Sequence, residues 1–264
     1  MAEGSRGIQS VEVSGRILRA FVKTAEPMML KDLAELADLK PAQCHAYLTS
    51  LKNVGLVHQD WATGYYSPGP LALRLGVSWL RANPQTSRAI DGLKALTETY
   101  GVMSLITVWG EFGPTIAHTY AGLTQATLNL RQGSIFSVTG TAAGRLFPAY
   151  GKNPAIEALC EAEIARKSEH LAIGEQITRE AFSEKIEEVR ACGYAIAEGR
   201  PIPGINAIGA PVFSETGDLA FVISMIGKAE NLSTEAGSDT VENLLSLAKD
   251  LSPDTINNSQ QVPA

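Results

Sequence analysis

Apolar residues in the first third of the chain recur every three or four positions, the period of one helix face. Further on they gather into short runs rich in β-branched residues, the signature of strands. From Ser10 to Thr24 the apolar positions are Val13, Ile17, Leu18, Phe21 and Val22, which predicts an amphipathic helix. Leu30 to Ala37 reads as a short apolar helix, Asp38-Leu39-Lys40 as a tight turn, and Pro41 to Asn53 as a second helix opened by a proline. Gly55-Leu56-Val57-His58 and Gly64-Tyr65-Tyr66-Ser67 then bracket a turn, as a two-stranded wing would. Leu30 to Ser67 therefore has the form of a winged helix-turn-helix, a unit used mainly to set its second helix in the major groove of DNA.

After the wing, Pro70 opens another helical stretch, and Asn83-Pro84 ends it, because the residue before a proline disfavours helical dihedrals. The expected divisions are a winged helix-turn-helix domain over 1–69 (mainly α with a β wing), a linker helix over 70–84, a larger domain over 85–252 and a flexible polar tail over 253–264. Within the larger domain, 87–100, 141–150, 155–166, 179–191 and 234–251 read as helices. The segments 102–109, 115–120, 127–130, 194–197, 205–213 and 219–226 read as strands, with Glu215-Thr216-Gly217-Asp218 as the turn between the last two. One antiparallel sheet with helices packed on it is an α+β fold.

Composition sharpens this picture. The 264 residues are 45% hydrophobic, enough for two cores. The longest apolar run, Leu219 to Ile226, is too short to span a bilayer, and the first ten residues carry no signal-peptide core. Three widely spaced cysteines (Cys44, Cys160, Cys192) argue for a reducing cytoplasm, and the four histidines show no zinc-ligand spacing with them, so no metal or other cofactor is expected. Residues 1–82 hold nine Lys/Arg against seven Asp/Glu, a balance of +2; the remainder, 13 against 21, carries −8. Phosphate attraction is modest per subunit, so useful DNA affinity calls for a homo-oligomer, a dimer or a tetramer.

The helix from Pro41 to Asn53 divides into two faces. Cys44, Tyr47, Leu48, Leu51 and, just beyond, Val54 fall on one side and are expected to be buried, which makes Cys44 a small core residue before a redox sensor. The other side presents Ala42, His45, Ala46, Thr49 and Asn53, with Gln43 and Lys52 at its edges. Gln43 has the chemistry to read adenine bidentately, Ala42 or Ala46 to meet a thymine methyl, and His45, Lys52 or the preceding Lys40 to meet phosphate. The competing reading for Gln43, His45 and Thr49 is a plain solvated face. Trp61 in the wing turn is expected to pack on the linker helix, the alternative being a place along the DNA backbone.

Several stretches in order carry a family resemblance. Leu30-Lys31-Asp32-Leu33-Ala34, His45 with Leu48-Thr49-Ser50-Leu51, Gly55-Leu56-Val57 and Tyr66-Ser67-Pro68-Gly69 resemble the N-terminal domain of the IclR family of bacterial transcriptional regulators. Thr141-Ala142-Ala143-Gly144-Arg145, Gly193-Tyr194-Ala195 and Gly204 to Phe213 resemble its effector-binding domain, and the match spans about residues 10 to 250. The resemblance implies a dimer or tetramer that binds an operator in double-stranded DNA and a small metabolite in a GAF-like C-terminal domain, commonly an organic acid or aromatic compound, with catabolic genes as targets. The chain departs from the family pattern at Ala42-Gln43 and Ala46 in the second helix, and at Ala197 and Ala207 in the larger domain, while Ser224 is kept and Arg200 is added. A pocket that loses an acid and gains an arginine should prefer a different ligand.

The effector site has a chemical rationale of its own. Thr139-Gly140-Thr141 precedes a helix beginning near Ala142, whose free N–H groups and positive dipole end bind a carboxylate without a charged side chain. Gly144 allows close approach of a neighbour, and the hairpin from Asn206 to Ser224 supplies the opposite wall. The expected effector contacts are Thr141, Ala142, Gly144, Arg145, Ala207, Ile208 and Ser224, with Arg145 either pairing with an anion or holding a structural salt bridge. Trp109, Phe112, His118, Tyr120, Phe136 and Phe147 supply aromatic surface for a ring, or ordinary core packing. Nucleophile-elbow and phosphate-loop motifs are absent, which argues against an enzyme. The remaining alternative is a winged-helix protein-interaction scaffold with a ligand-sensing domain and no specific DNA binding; it draws on the weak positive charge and on Ala46.

Overall fold

The structure, a computed structural model, describes residues 7–24, 26–82, 84–122, 130–165, 174 and 176–253. The chain forms two compact units that divide between Asn83 and Pro84. In the first, α1 (Gln9–Thr24), α2 (Leu30–Leu36) and α3 (Pro41–Asn53) enclose a core of Ile17, Phe21, Leu33, Cys44, Leu48 and Leu51. Asp38 turns the chain between α2 and α3 with φ +52°, a left-handed conformation that Asp tolerates better than most residues. The wing strands β1 (Val57–Gln59) and β2 (Tyr66–Pro68) pair antiparallel, and Met28 and Tyr66 exchange two backbone hydrogen bonds that anchor the wing to the segment before α2. The strands begin two residues later than the wing glycines suggest. Gly55 (φ +77°) sits just past the end of α3, and Gly64 (φ +74°) lies in the hairpin turn, so both are turn residues. α4 (Pro70–Arg81) closes this unit.

The second unit is α+β. Its sheet has the order β4-β3-β7-β6-β5, antiparallel throughout, from β3 (Met103–Gly110), β4 (Gly113–Tyr120), β5 (Ala195–Glu198), β6 (Ile205–Phe213) and β7 (Leu219–Lys228). Strand alternation sends Ile106, Ile208, Ala210, Ile223 and Met225 to one face, under α5 (Pro84–Tyr100) and α9 (Asp239–Leu251). The other face, with Leu105 and Val222, packs against α6 (Ala142–Tyr150), α7 (Pro154–Ile164) and α8 (Arg179–Cys192). Two glycines make α6 fit. A Cβ at Gly209 would lie 3.0 Å from Leu146 Cδ1, and one at Gly144 would lie 2.0 Å from the carbonyl oxygen of Ser137.

Two helix starts differ from the sequence reading by several residues. α4 ends at Arg81, ahead of Asn83-Pro84 as expected, but Pro84 also opens α5, three residues before the expected start at Ser87, since a first-turn position needs no N–H. The last helix begins at Asp239, not Thr234: Gly237 has φ +81°, and the Thr240 hydroxyl donates to the Ser233 carbonyl, which fixes a turn there. The strand expected at 127–130 lies almost entirely outside the described residues, and Leu130 itself is irregular and buried. The expected flexible tail likewise lies outside them from residue 254.

Candidate DNA-reading face and effector pocket

α3 starts at Lys40-Pro41 because proline presets the first helical dihedral, and its core stripe follows from helix period. Cys44, Leu48 and Leu51 are buried, and burial pushes the Cys44 thiol above its ordinary pKa. Val54 is exposed, contrary to its place on the helical wheel, because α3 ends at Asn53 and the wheel no longer applies. Lys40, Ala42, Gln43, His45, Ala46, Thr49 and Lys52 are all exposed on the opposite side. Two of them are engaged. The Thr49 hydroxyl donates to the His45 carbonyl at 2.9 Å, and Lys52 Nζ donates to Gln59 Oε1 at 2.7 Å. Gln59 Nε2 in turn donates to the Gly64 carbonyl, so Lys52 ties the helix to the wing. Trp61 does not pack on α4: it is 95% exposed.

In the second unit a cavity of about 60 Å³ opens between the start of α6 and the sheet. Thr141, Ala142 and Ala143 form one wall; Ala207 of β6 with Ser224 and Ile226 of β7 form the other. Phe136, Ile202, Ile205 and Arg200 stand around it, and the surface is overwhelmingly apolar. Thr141 caps α6, its hydroxyl accepting from Gly144 N–H at 2.9 Å. The N–H groups of Ala142 and Ala143, before the first complete turn, have no acceptor among the described residues. Ser224 is 1% exposed, and its hydroxyl makes no hydrogen bond among the described residues. Ser224 Oγ and Ala143 Cα both lie within 3.5 Å of the point where a Gly209 Cβ would stand, so the two walls meet across that glycine.

Of the expected effector contacts, Thr141, Ala142, Ala207 and Ser224 line this cavity, and three do not. Ile208 faces the α5/α9 core, because neighbours on a strand point to opposite sides. Gly144 serves the approach of Ser137, and buried Arg145 donates to the Ile196 carbonyl at 2.6 Å, bridging α6 to β5. Of the aromatic set only Phe136 reaches the cavity; Trp109 and Phe147 pack on each other, as do His118 and Tyr120.

Sequence reasoning missed Glu163. Buried on α7, its carboxylate accepts from the Ser137 hydroxyl, from the Val138 and Thr139 N–H groups and from the Thr139 hydroxyl, at 2.6 to 3.0 Å. It thereby fixes the loop that delivers Thr141 to the cavity. The available signal was an acid in an apolar stripe, Ile156, Cys160, Glu163, where helix period expects a hydrophobe. The same carboxylate, second to burial, helps push the neighbouring Cys160 thiol up to about 12.

Comparison with known proteins settles the family. The description "Bacterial transcriptional regulator IclR C-terminal" matches residues 110–253, and "IclR helix-turn-helix domain" matches residues 10–60. The chain belongs to the IclR family of bacterial transcriptional regulators. The glycerol operon regulatory protein of Streptomyces coelicolor is 28% identical over 233 residues, 88% of this chain and 89% of that protein. The crystal structure of HmgR from Pseudomonas aeruginosa is 28% identical, covers 93% of this chain and 97% of its own, and superposes with a TM-score of 0.56. An IclR transcriptional regulator from Alicyclobacillus acidocaldarius, 22% identical over 94% of this chain and 98% of its own, reaches 0.73 and shares the two-domain fold. This IclR-family chain thus combines a helix-turn-helix DNA-binding domain with a C-terminal effector domain, and the relatives are named as regulators, not catalysts. No helix among the described residues is long and apolar enough to cross a membrane.

Proposed function

We propose that this regulator reads a double-stranded operator in the cytoplasm through Gln43 and His45, supported by Thr49, Lys40 and the methyl groups of Ala42 and Ala46, and that a small organic acid bound in the α6 cavity controls that binding. The acid's carboxylate meets the Ala142 and Ala143 N–H groups and the Ser224 hydroxyl, while its carbon skeleton lies on Ala207, Ile205 and Ile226. The observation that carries the reading is the buried Ser224 hydroxyl, without a partner among the described residues, on the wall facing a helix start whose Thr141 cap leaves the Ala142 and Ala143 N–H groups open. Leaving such a group unsatisfied costs about 1–3 kcal/mol, which an anionic ligand would recover. Size favours a short aliphatic acid: the cavity is under half of the roughly 150 Å³ that accepts benzene, so an aromatic acid would have to displace side chains.

Assembly with a second copy, as a dimer or in a tetramer, follows from the same logic. α4 exposes Leu73 and Val77 on one side and Leu75 and Trp79 on the other, apolar surface that water does not favour. Catabolic genes are the expected targets; relatives over most of the chain are named glycerol operon regulatory proteins. Gel-shift with the DNA upstream of its own gene, with and without short carboxylates, tests the reading. Salt-sensitive binding altered by an acid supports it. No binding at low salt would point to a protein-interaction scaffold instead, the reading that the small positive charge of the first unit favours.

A further inference from the structure

The wing tip is built in a way the recognition helix does not explain. Asp60 Oδ1 accepts from the Ala62 N–H at 2.9 Å, the Thr63 N–H at 2.7 Å and the Thr63 hydroxyl at 2.9 Å, so three bonds pin the turn. The closing pair, Asp60 N–H to Tyr65 carbonyl and Gly64 N–H to Asp60 carbonyl, completes a rigid hairpin end. These bonds, all to Oδ1, hold the Asp60 carboxyl below its ordinary pKa. On this pinned turn stands Trp61, 95% exposed, with Tyr65 exposed beside it. Tryptophan is seldom so bare, and here no core contact holds it in place. The tip is also tied to the DNA-reading helix through Lys52, Gln59 and the Gly64 carbonyl, so its position follows that of α3. Finally, the sequence has no Lys or Arg between Asn53 and Leu73. A wing of this composition offers phosphates no Lys or Arg cation to pair with.

We infer that the Trp61 indole is an apolar DNA contact, set by the wing against the sugar edges or a base step of the minor groove beside the site read by α3. Apolar side chains act this way in the minor groove by displacing water and partly unstacking a step, and they carry no charge. The inference rests on the DNA-reading role of α3 and adds a second, salt-independent foothold to it. It accounts for a regulator whose helix-turn-helix unit is only weakly basic: part of the affinity is apolar.

The test uses the full chain, its own upstream DNA and an unrelated duplex of the same length. Trp61→Ala should weaken binding to the upstream DNA by about 5- to 20-fold, while the slope of log affinity against log salt stays that of the wild type, because no phosphate contact is lost. Trp61→Phe should keep most of the affinity. The wild type should show fluorescence quenching on binding DNA that Trp61→Phe does not show. Circular dichroism and melting should match for all three proteins, since the side chain touches no core. Binding by Trp61→Ala within twofold of wild type, with quenching retained in Trp61→Phe, overturns this inference alone and leaves the regulator intact. A reduced salt slope in Trp61→Ala would also overturn it, since the loss would then be electrostatic. Failure of the wild type to bind either DNA overturns the inference together with the reading it rests on.

Discussion

The starts of α3 and α6 use opposite means. α3 begins at an exposed Lys40-Pro41 and offers a face of side chains, so under the proposed reading what it recognises is set by residue identity at Gln43, His45 and Thr49. α6 begins inside the second unit and offers backbone N–H groups, with Ser224 of β7 opposite, so under the same reading what it would recognise is set by where chain segments are brought together. The difference teaches where sensitivity lies. The α3 site tolerates change in its scaffold but not on its face. The α6 site depends on the elements that hold its loop as much as on the Ser224 hydroxyl that lines it.

The largest effect should come from breaking the second kind of site at its support. Glu163→Ala leaves two N–H groups and two hydroxyls without their acceptor, and should destabilise the second unit by about 3 kcal/mol or more, read by denaturant unfolding, while the first unit unfolds as before. Equal loss in both units would contradict the division of labour. Next in size, Gln43→Ala and His45→Ala should each reduce affinity for the upstream DNA by about 10- to 100-fold with no change in melting temperature. Ser224→Ala sharpens the comparison: it should weaken an acid ligand by about tenfold or more, yet leave the unliganded protein as stable as the wild type or more so, because it removes a buried hydroxyl that has no partner among the described residues. Loss of stability without ligand would show that Ser224 serves the fold.

The smallest effect concerns pH. Burial lowers the His118 pKa from its ordinary 6.5, so as pH falls the unfolded chain takes up this proton before the folded one does. Its contribution is therefore complete above pH 6.5 and is lost on the way down toward the depressed folded value. His118→Gln should flatten that part of the stability–pH profile and leave DNA affinity at neutral pH alone.

The contrast also explains how much could be read before any coordinates. The buried stripe of α3 and its exposed face follow from helix period alone, and both are as expected except at Val54, where the helix has stopped. The pocket was legible at the helix start, Thr141-Ala142, by a local rule, at Ala207, Ser224 and Arg200 by comparison with the family pattern, and at Phe136 as one of the aromatic set. Ile208 shows the limit, since naming neighbours on a strand forces one of them to the wrong face. Arg145 and Gly144 sit in the right segment but serve packing, because their partners, the Ile196 and Ser137 carbonyls, are set by tertiary approach. Glu163 lies 26 residues from Ser137, and nothing local in either segment announces their pairing.

The central claim is that the α6 start and Ser224 together hold a carboxylate. Calorimetric titration of the full-length protein with a series of two- to five-carbon monocarboxylic acids and their uncharged amides tests it most directly. The account predicts that at least one acid binds, that its amide binds at least tenfold more weakly, and that Ser224→Ala removes most of the difference. An amide that binds as well as its acid, or an acid whose affinity is unchanged by Ser224→Ala, would contradict it.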